Sequence, residues 1–80
     1  MVDIEYSEHF KKTVQKITSS ESKEKVKIKI RKIIENPKIG KPMRYSRKGT
    51  REVYISPYRL AYAYTKQKII FLELYHKDKQ

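Results

Sequence analysis

The sequence predicts an α+β domain in which a helical hairpin covers one face of an antiparallel sheet. After a short N-terminal strand, apolar residues recur at helical spacing up to about Glu35. From Gly49 onward they alternate with polar residues, as in half-buried strands. Helices that precede a run of strands are typical of the α+β class. Because the chain has 80 residues, we expect a single domain over residues 1–80.

The first predicted elements are a strand over residues 2–6 and a helix after Ser7. Apolar and polar residues alternate in the strand. The Ser7 hydroxyl is a predicted N-cap, and Glu8 suits the positive end of a helix dipole. An apolar stripe then follows at positions i, i+4 and i+7: Phe10, Val14 and Ile17.

The next segment, up to about Glu35, is compatible with two structures. Its residues 26–30 alternate with lysines as a strand would, whereas a helix would group the apolar residues Val26, Ile30, Ile33 and Ile34 on one side. We predict a helix, because the segment is about fifteen residues long and strands seldom exceed about ten. Thr18 and Glu21 have the spacing of a capping box at its start, and Asn36-Pro37 predicts its end.

Four strands are predicted in the second half of the chain. A short one covers residues 43–46, and a central pair, 49–55 and 58–64, turns at Ser56-Pro57. A strongly apolar strand over residues 68–75 follows a turn at Lys66-Gln67. The predicted order is β-α-α-β-β-β-β, with three to four antiparallel strands after the N-terminal one. The sheet face opposite the helices should be open, concave because sheets twist, and basic.

Composition narrows the classes of function. The chain has 20 Lys+Arg against 9 Asp+Glu, a net charge of +11, so a polyanion is the first expected partner. An acidic protein and an anionic membrane are the second and third candidate partners. The alternative is that the chain is basic but has no polyanionic partner. The chain has no cysteine, which excludes disulfides and His/Cys metal sites, and we expect no cofactor. With neither a signal peptide nor a membrane span in the sequence, we expect the protein to stay in the cytoplasm.

Arg59 is the first candidate functional residue. In the predicted strand it shares a face with Ala61 and Ala63, and these small side chains should leave space above the sheet. A cation at the floor of such a space could meet an anion. The alternative is a solvated arginine whose stem lies along the sheet.

Four segments of the sequence resemble the RelE/ParE superfamily of toxins from toxin–antitoxin pairs. They occur in the family's order and spacing: Pro42-Met43-Arg44, then Gly49 to Ile55, then Pro57 to Tyr62, then Leu74-Tyr75-His76-Lys77. The resemblance implies a toxin with an acidic antitoxin as its partner, and monomeric when free. In the RelE branch the toxin cleaves messenger RNA on the ribosome, in the ParE branch it inhibits DNA gyrase, and some members have no known activity.

The resemblance also implies roles for particular residues. Arg59 matches the arginine that contacts the scissile phosphate, and His76 matches a histidine used for proton transfer in YoeB-like members. Glu52 and Tyr54 stand where RelE has lysines, and Met43 stands where YoeB-like members have a glutamate, so those roles do not carry over. The expected RNA-binding residues are basic or aromatic: Arg44, Arg51, Tyr54, Tyr75, Lys77 and Lys79.

The predicted chemistry needs no metal. A guanidinium can stabilise charge at phosphorus, and an imidazole can give or take a proton at cellular pH. We therefore expect a RelE-like, ribosome-dependent endoribonuclease in which the 2′-hydroxyl attacks the adjacent phosphate. The alternatives are a ParE-like gyrase inhibitor and a toxin fold without catalytic activity.

Overall fold

In the described part of the chain, two helices and five strands follow one another in the predicted order β-α-α-β-β-β-β. The computed structural model describes residues 2–42 and 49–76. The elements are β1 (Asp3–Tyr6), α1 (Glu8–Lys16), α2 (Ser20–Glu35), a 3₁₀ turn (Pro37–Ile39), β2 (Lys41–Pro42), β3 (Thr50–Ile55), β4 (Tyr58–Thr65) and β5 (Lys68–His76). The predicted short strand at 43–46 lies outside the described residues. The strand β2 ends at Pro42, just before that segment.

The strands form one mixed sheet in the order β1-β5-β4-β3-β2. β1 runs parallel to β5, whereas the pairs β5–β4, β4–β3 and β3–β2 are antiparallel. The sheet thus has five strands rather than three to four, because the helical hairpin carries the chain over the sheet and brings β1 beside the last strand.

Serine hydroxyls cap both helices. The Ser7 hydroxyl oxygen accepts a hydrogen bond from the Phe10 amide at 3.0 Å and donates to the Leu72 carbonyl at 2.6 Å, so the start of α1 is bound to β5. In α2 the cap is Ser19, which accepts from the Ser22 amide at 3.2 Å, and not the predicted Thr18. Ile17 is buried and ends α1, and α2 begins one residue later than the capping-box pattern indicated.

The core lies between the helices and one face of the sheet. Its buried residues come from both layers: Phe10, Ile17, Val26, Ile33, Ile55, Leu60, Tyr62, Ile69, Phe71 and Leu74. Ile28 of α2 is 42% exposed, as the helical reading requires, whereas a strand would have placed it with Val26 and Ile30. Burying each large apolar side chain contributes about 1.5–3 kcal/mol, and together they attach the hairpin to the sheet.

A β-bulge in β5 changes which residues face the core. Ala61 pairs with Glu73, but Tyr62 pairs with Phe71, so Leu72 is an extra residue between them. Both Phe71 and Leu74 are consequently buried although they are three residues apart. Beyond the bulge, alternation places Glu73 and Tyr75 on the face that the helices leave open.

Tyr62 connects the sheet to the turn after α2. Its ring is fully buried, its hydroxyl donates to the Pro37 carbonyl at 2.6 Å, and it accepts from the Gly40 amide at 3.0 Å. A Cβ at position 40 would lie 2.6 Å from this hydroxyl, so only glycine permits the approach. Burial raises the pKa of Tyr62 above its ordinary value, and the hydroxyl therefore remains a donor near neutral pH.

We expect Tyr62→Phe to lower the free energy of unfolding by about 1–3 kcal/mol, because the buried Gly40 amide loses its acceptor. Urea denaturation measures this change. Tyr64→Phe, at a half-buried site on the same strand, is the matched control and should alter stability by less than about 0.5 kcal/mol. An unchanged unfolding midpoint in Tyr62→Phe would show that the bridge adds nothing to stability.

Neither helix in the described ranges combines the length and apolar character that crossing a membrane requires.

Candidate functional site

Arg59 lies near the start of β4, on the sheet face that the helices leave open. The next residue, Leu60, points into the core, and the strand alternation puts Arg59 on the other side. Across the strands, Arg59 is in register with Tyr54 of β3 and Tyr75 of β5. The predicted face of Arg59 is therefore confirmed, and two of the predicted RNA-binding residues are its direct neighbours.

Glu52 connects Arg59 to Tyr75. Its Oε1 lies 2.9 Å from Nη1 of Arg59, and its Oε2 accepts a hydrogen bond from the Tyr75 hydroxyl at 3.0 Å. The Arg59 and Glu52 side chains are 33% and 24% exposed, so the ion pair is partly shielded from water. Hydrogen bonds between ionised groups in such surroundings are stronger than neutral ones. Three strands thus contribute one hydrogen-bonded cluster.

The space predicted above Ala61 is filled. Ala61 is fully buried, and its cross-strand neighbours on the open face are Glu52 and Glu73. The expectation of empty space at this position is wrong, because the carboxylate of Glu52 occupies the place beside Arg59 that an external anion was expected to take.

The Arg59 guanidinium is held incompletely. Its Nε is buried and, within the described part of the chain, has no hydrogen-bond partner. Leaving such a donor unsatisfied costs about 1–3 kcal/mol. Proteins seldom keep buried polar groups without a hydrogen-bond partner, and those that they do keep can have a functional role.

A cleft of about 380 Å³ opens beside Arg59 and Glu52. It runs along the outer edge of β3, and residues from α2, the 3₁₀ turn and β2 also line it. Lys29 and Lys41 join Arg59 as cations in its lining, and the half-exposed ring of Tyr54 forms another part of the wall. Cations, a carboxylate and an accessible aromatic ring therefore meet in one cleft.

Tyr75 is a neutral donor in this cluster. Burial raises the pKa of Tyr75, and the hydrogen bond to Glu52 raises this pKa further because it favours the protonated phenol. At neutral pH the phenol therefore keeps its proton, and the hydroxyl donates a hydrogen bond to the Glu52 carboxylate that holds this carboxylate in position.

Arg51 lies on the other side of the sheet. It is in register with Tyr62, whose ring is in the core, and its Nη1 donates to the Gly40 carbonyl at 2.8 Å and to the Lys38 carbonyl at 3.3 Å. These bonds attach β3 to the turn after α2. The structure gives Arg51 a structural contact, and its RNA-binding role stays a prediction.

His76 is not brought together with Arg59. It is in register with Tyr58, and the two rings meet edge to face with their centroids 5.8 Å apart. Tyr58 packs against the core, so strand alternation places His76 on the face opposite Arg59. The catalytic assignment of His76 stays a prediction. Three further predicted residues lie outside the described ranges: Arg44, Lys77 and Lys79.

The described charges do not make the open face uniformly basic. Around Arg59 that face carries Glu52 and Glu73, so the prediction of a basic face is wrong there. Lysines of α2 line clefts, as Lys29 does beside Tyr54.

Sequence reasoning did not identify Glu52 as the partner of Arg59. The sequence did contain the information. Val53 points into the core, so Glu52 points to the open face, and a hairpin that turns at Ser56-Pro57 places Glu52 diagonally across from Arg59. Lys29 and Lys41 gave no such signal, because their approach to β3 depends on how α2 and the 3₁₀ turn pack.

Comparisons with known proteins identify the family. The sequence model of the ParE toxin of type II toxin–antitoxin systems (parDE) matches residues 4–80. No match was found among curated protein sequences.

Solved structures share the fold. YafQ from E. coli strain BL21(DE3) is 26% identical, with a TM-score of 0.77 over 98% of this chain and 96% of that chain. The toxin of the E. coli DinJ-YafQ toxin–antitoxin complex is 25% identical, with a TM-score of 0.78 over 96% and 93%. The isolated E. coli RelE toxin has a TM-score of 0.81 over 100% and 88% at 20% identity, which shows a common fold alone.

The predicted superfamily and α+β fold are thereby confirmed. A family match that spans nearly the whole sequence, together with the arrangement of strands around Arg59, shows that this chain belongs to the ParE toxin family of type II toxin–antitoxin systems, within the RelE/ParE superfamily.

Proposed function

We propose that this protein is a RelE-like toxin that cleaves messenger RNA on the ribosome without a metal ion. The observation that carries the proposal is the cluster of Arg59, Glu52 and Tyr75 beside a cleft whose other cations are Lys29 and Lys41. A cationic cleft with a guanidinium at its wall suits a phosphodiester.

The proposed reaction is attack of a 2′-hydroxyl on the adjacent phosphate. Arg59 would donate hydrogen bonds to the phosphate oxygens and stabilise the charge that grows there in the transition state. The Tyr54 ring is 52% exposed and lines the cleft, so it offers a surface on which a base can stack. The other predicted contacts remain part of the proposal: Arg44, Arg51, Lys77 and Lys79 for RNA and His76 for proton transfer.

The proposed reaction depends on the ribosome to orient the RNA strand. Few groups in the described cleft can position an RNA strand, and a ribosome that presents the 2′-hydroxyl in line with the phosphate would supply the missing orientation. Orientation of this kind can be worth several kcal/mol.

An acidic antitoxin is the proposed partner in the absence of RNA. The related YafQ toxin has been crystallised with DinJ as a toxin–antitoxin complex. The net charge of +11 favours fast association with an acidic protein, and the lysines at the cleft offer it a docking surface. When free, the toxin is proposed to be a monomer.

We expect messenger RNA to be cut in programmed ribosomes and to be cut far more slowly when naked. Purified protein is incubated with each substrate, and the cut ends are mapped by primer extension. Equal rates on both substrates would contradict the dependence on the ribosome. An intact message in both would contradict the ribonuclease function itself.

Inhibition of DNA gyrase is the second candidate, since the matching family is that of ParE toxins. A gyrase supercoiling assay separates the two functions. Inhibition of supercoiling with no cleavage of ribosome-bound RNA would favour this candidate over the nuclease.

A further inference from the structure

We propose that Glu52 is the general base of the cleavage reaction and that Tyr75 holds its carboxylate in position, an inference that rests on the proposed ribonuclease function. The Glu52 carboxylate accepts a hydrogen bond, at 2.9 Å from Nη1, from the Arg59 guanidinium that is proposed to hold the phosphate.

The position of Glu52 suits the atom that must lose a proton. A nucleophilic 2′-oxygen is separated from the scissile phosphorus by one ribose carbon–carbon bond and the 3′-oxygen, so its base must lie beside the cation that holds the phosphate. Glu52 lies beside Arg59 and lines the same cleft as Tyr54. A base stacked on Tyr54 and a phosphate on Arg59 would bring the intervening ribose toward Glu52.

The carboxylate keeps acceptor capacity after its two contacts are made. Each carboxylate oxygen has two lone pairs, and in the structure Oε1 uses one for Arg59 while Oε2 uses one for Tyr75. A 2′-hydroxyl can therefore donate to Glu52 while both contacts persist. The side chain is 24% exposed, so an incoming ligand can reach it.

The Tyr75 bond distinguishes a positioned base from a simple counter-ion. A carboxylate that only neutralised Arg59 would need no second anchor on β5, and it would weaken phosphate binding by occupying the cation. The two hydrogen bonds fix both oxygens, one to β4 and one to β5. Such fixation at a set distance is what proton transfer in a transition state requires.

The proposed step needs no reactant other than RNA and water. Glu52 takes the proton of the 2′-hydroxyl as the 2′-oxygen forms a bond to phosphorus. The bond between phosphorus and the 5′-oxygen breaks, and that oxygen takes a proton from water. The products are a 2′,3′-cyclic phosphate and a 5′-hydroxyl, and the Glu52 carboxylic acid then returns its proton to solvent.

Glu52→Gln tests the proposal, since it keeps the shape and removes the base. We expect kcat on programmed ribosomes to fall about 100-fold or more, the usual effect of losing a general base. KM should stay the same or fall, because Arg59 is released from its ion pair.

Two further variants control the experiment. Glu73→Gln removes the same charge two strands away, on β5 and outside the cleft lining, and should leave kcat unchanged. Tyr75→Phe removes the bond to Oε2 and should lower kcat about tenfold with KM unchanged, as expected of positioning groups. If circular dichroism shows that Glu52→Gln does not fold, Tyr75→Phe decides: an unchanged kcat in that variant overturns the proposal.

The outcomes separate this inference from the proposed function. A wild-type protein that leaves ribosome-bound RNA intact overturns both. A wild-type protein that cleaves, with Glu52→Gln equally fast or faster, overturns the general base alone and assigns Glu52 as a restraint on Arg59. Binding to the same RNA with a 2′-deoxy nucleotide at the cut site should survive in Glu52→Gln, which shows that the loss lies in the chemical step.

Discussion

Arg59→Ala should cleave ribosome-bound messenger RNA about 100–1000-fold more slowly than the wild type, a loss of about 3–4 kcal/mol of transition-state stabilisation. The guanidinium lies at the wall of the cationic cleft, where it is proposed to donate hydrogen bonds to the phosphate. Removing it also removes a buried Nε that has no hydrogen-bond partner in the described chain, so the stability that the ion pair loses is partly offset. Single-turnover cleavage rates measure the effect.

Arg31→Ala is the matched control for this experiment. Arg31 is an exposed residue of α2, and its loss removes the same charge away from the cleft lining. A wild-type rate in Arg59→Ala would refute the phosphate contact, as would an equal loss in Arg31→Ala. His76→Ala, assayed in parallel, decides the role of the second predicted catalytic residue: a loss as large as that of Arg59→Ala would support proton transfer by His76.

Phe71→Ala should reduce the free energy of unfolding by about 3–5 kcal/mol. The Phe71 ring lies at the centre of the aromatic cluster of the core, stacked on Tyr6 at 5.2 Å between centroids, with Phe10 at 5.6 Å and Tyr62 at 6.2 Å. Small domains have a total stability of about 5–15 kcal/mol, so the variant should lose much of its folded population at 37 °C. Thermal unfolding followed by circular dichroism measures the loss.

Ile28→Ala is the control for core truncation. Ile28 is 42% exposed on α2, so its removal should change stability by less than about 0.5 kcal/mol. If Phe71→Ala melts as the wild type does, the position of Phe71 beside the bulge is not the centre of the core.

The sequence by itself predicted the helices, their order relative to the strands and the face of Arg59. Helical spacing and period-two alternation report how a segment buries its own apolar side, and this is a local property. The length of the 20–35 segment was enough to choose helix over strand there, although Val26, Ile28 and Ile30 alternate. The turn at Ser56-Pro57 likewise needed only local information.

Two details of the fold could not be predicted from local sequence patterns: the residue that caps α2 and the pairing of β1. Thr18 and Ser19 are both suitable N-cap residues, and in the structure Ser19 caps α2. The parallel pairing of β1 with β5 has no local signature, because it depends on where the helical hairpin returns the chain.

The candidate site could be predicted only in part, for the same reason. Arg59 was found because the residues that follow it on the same face of the strand, Ala61 and Ala63, are small. Its partners Glu52 and Tyr75 come from two other strands. The register of those strands, and the extra Leu72 in β5, determine which side chains meet. The sequence determined that an arginine faces away from the core. Only the tertiary structure decided that it faces a carboxylate of its own chain, because cross-strand neighbours are fixed by register and packing over the whole sheet and not by periodicity within one strand.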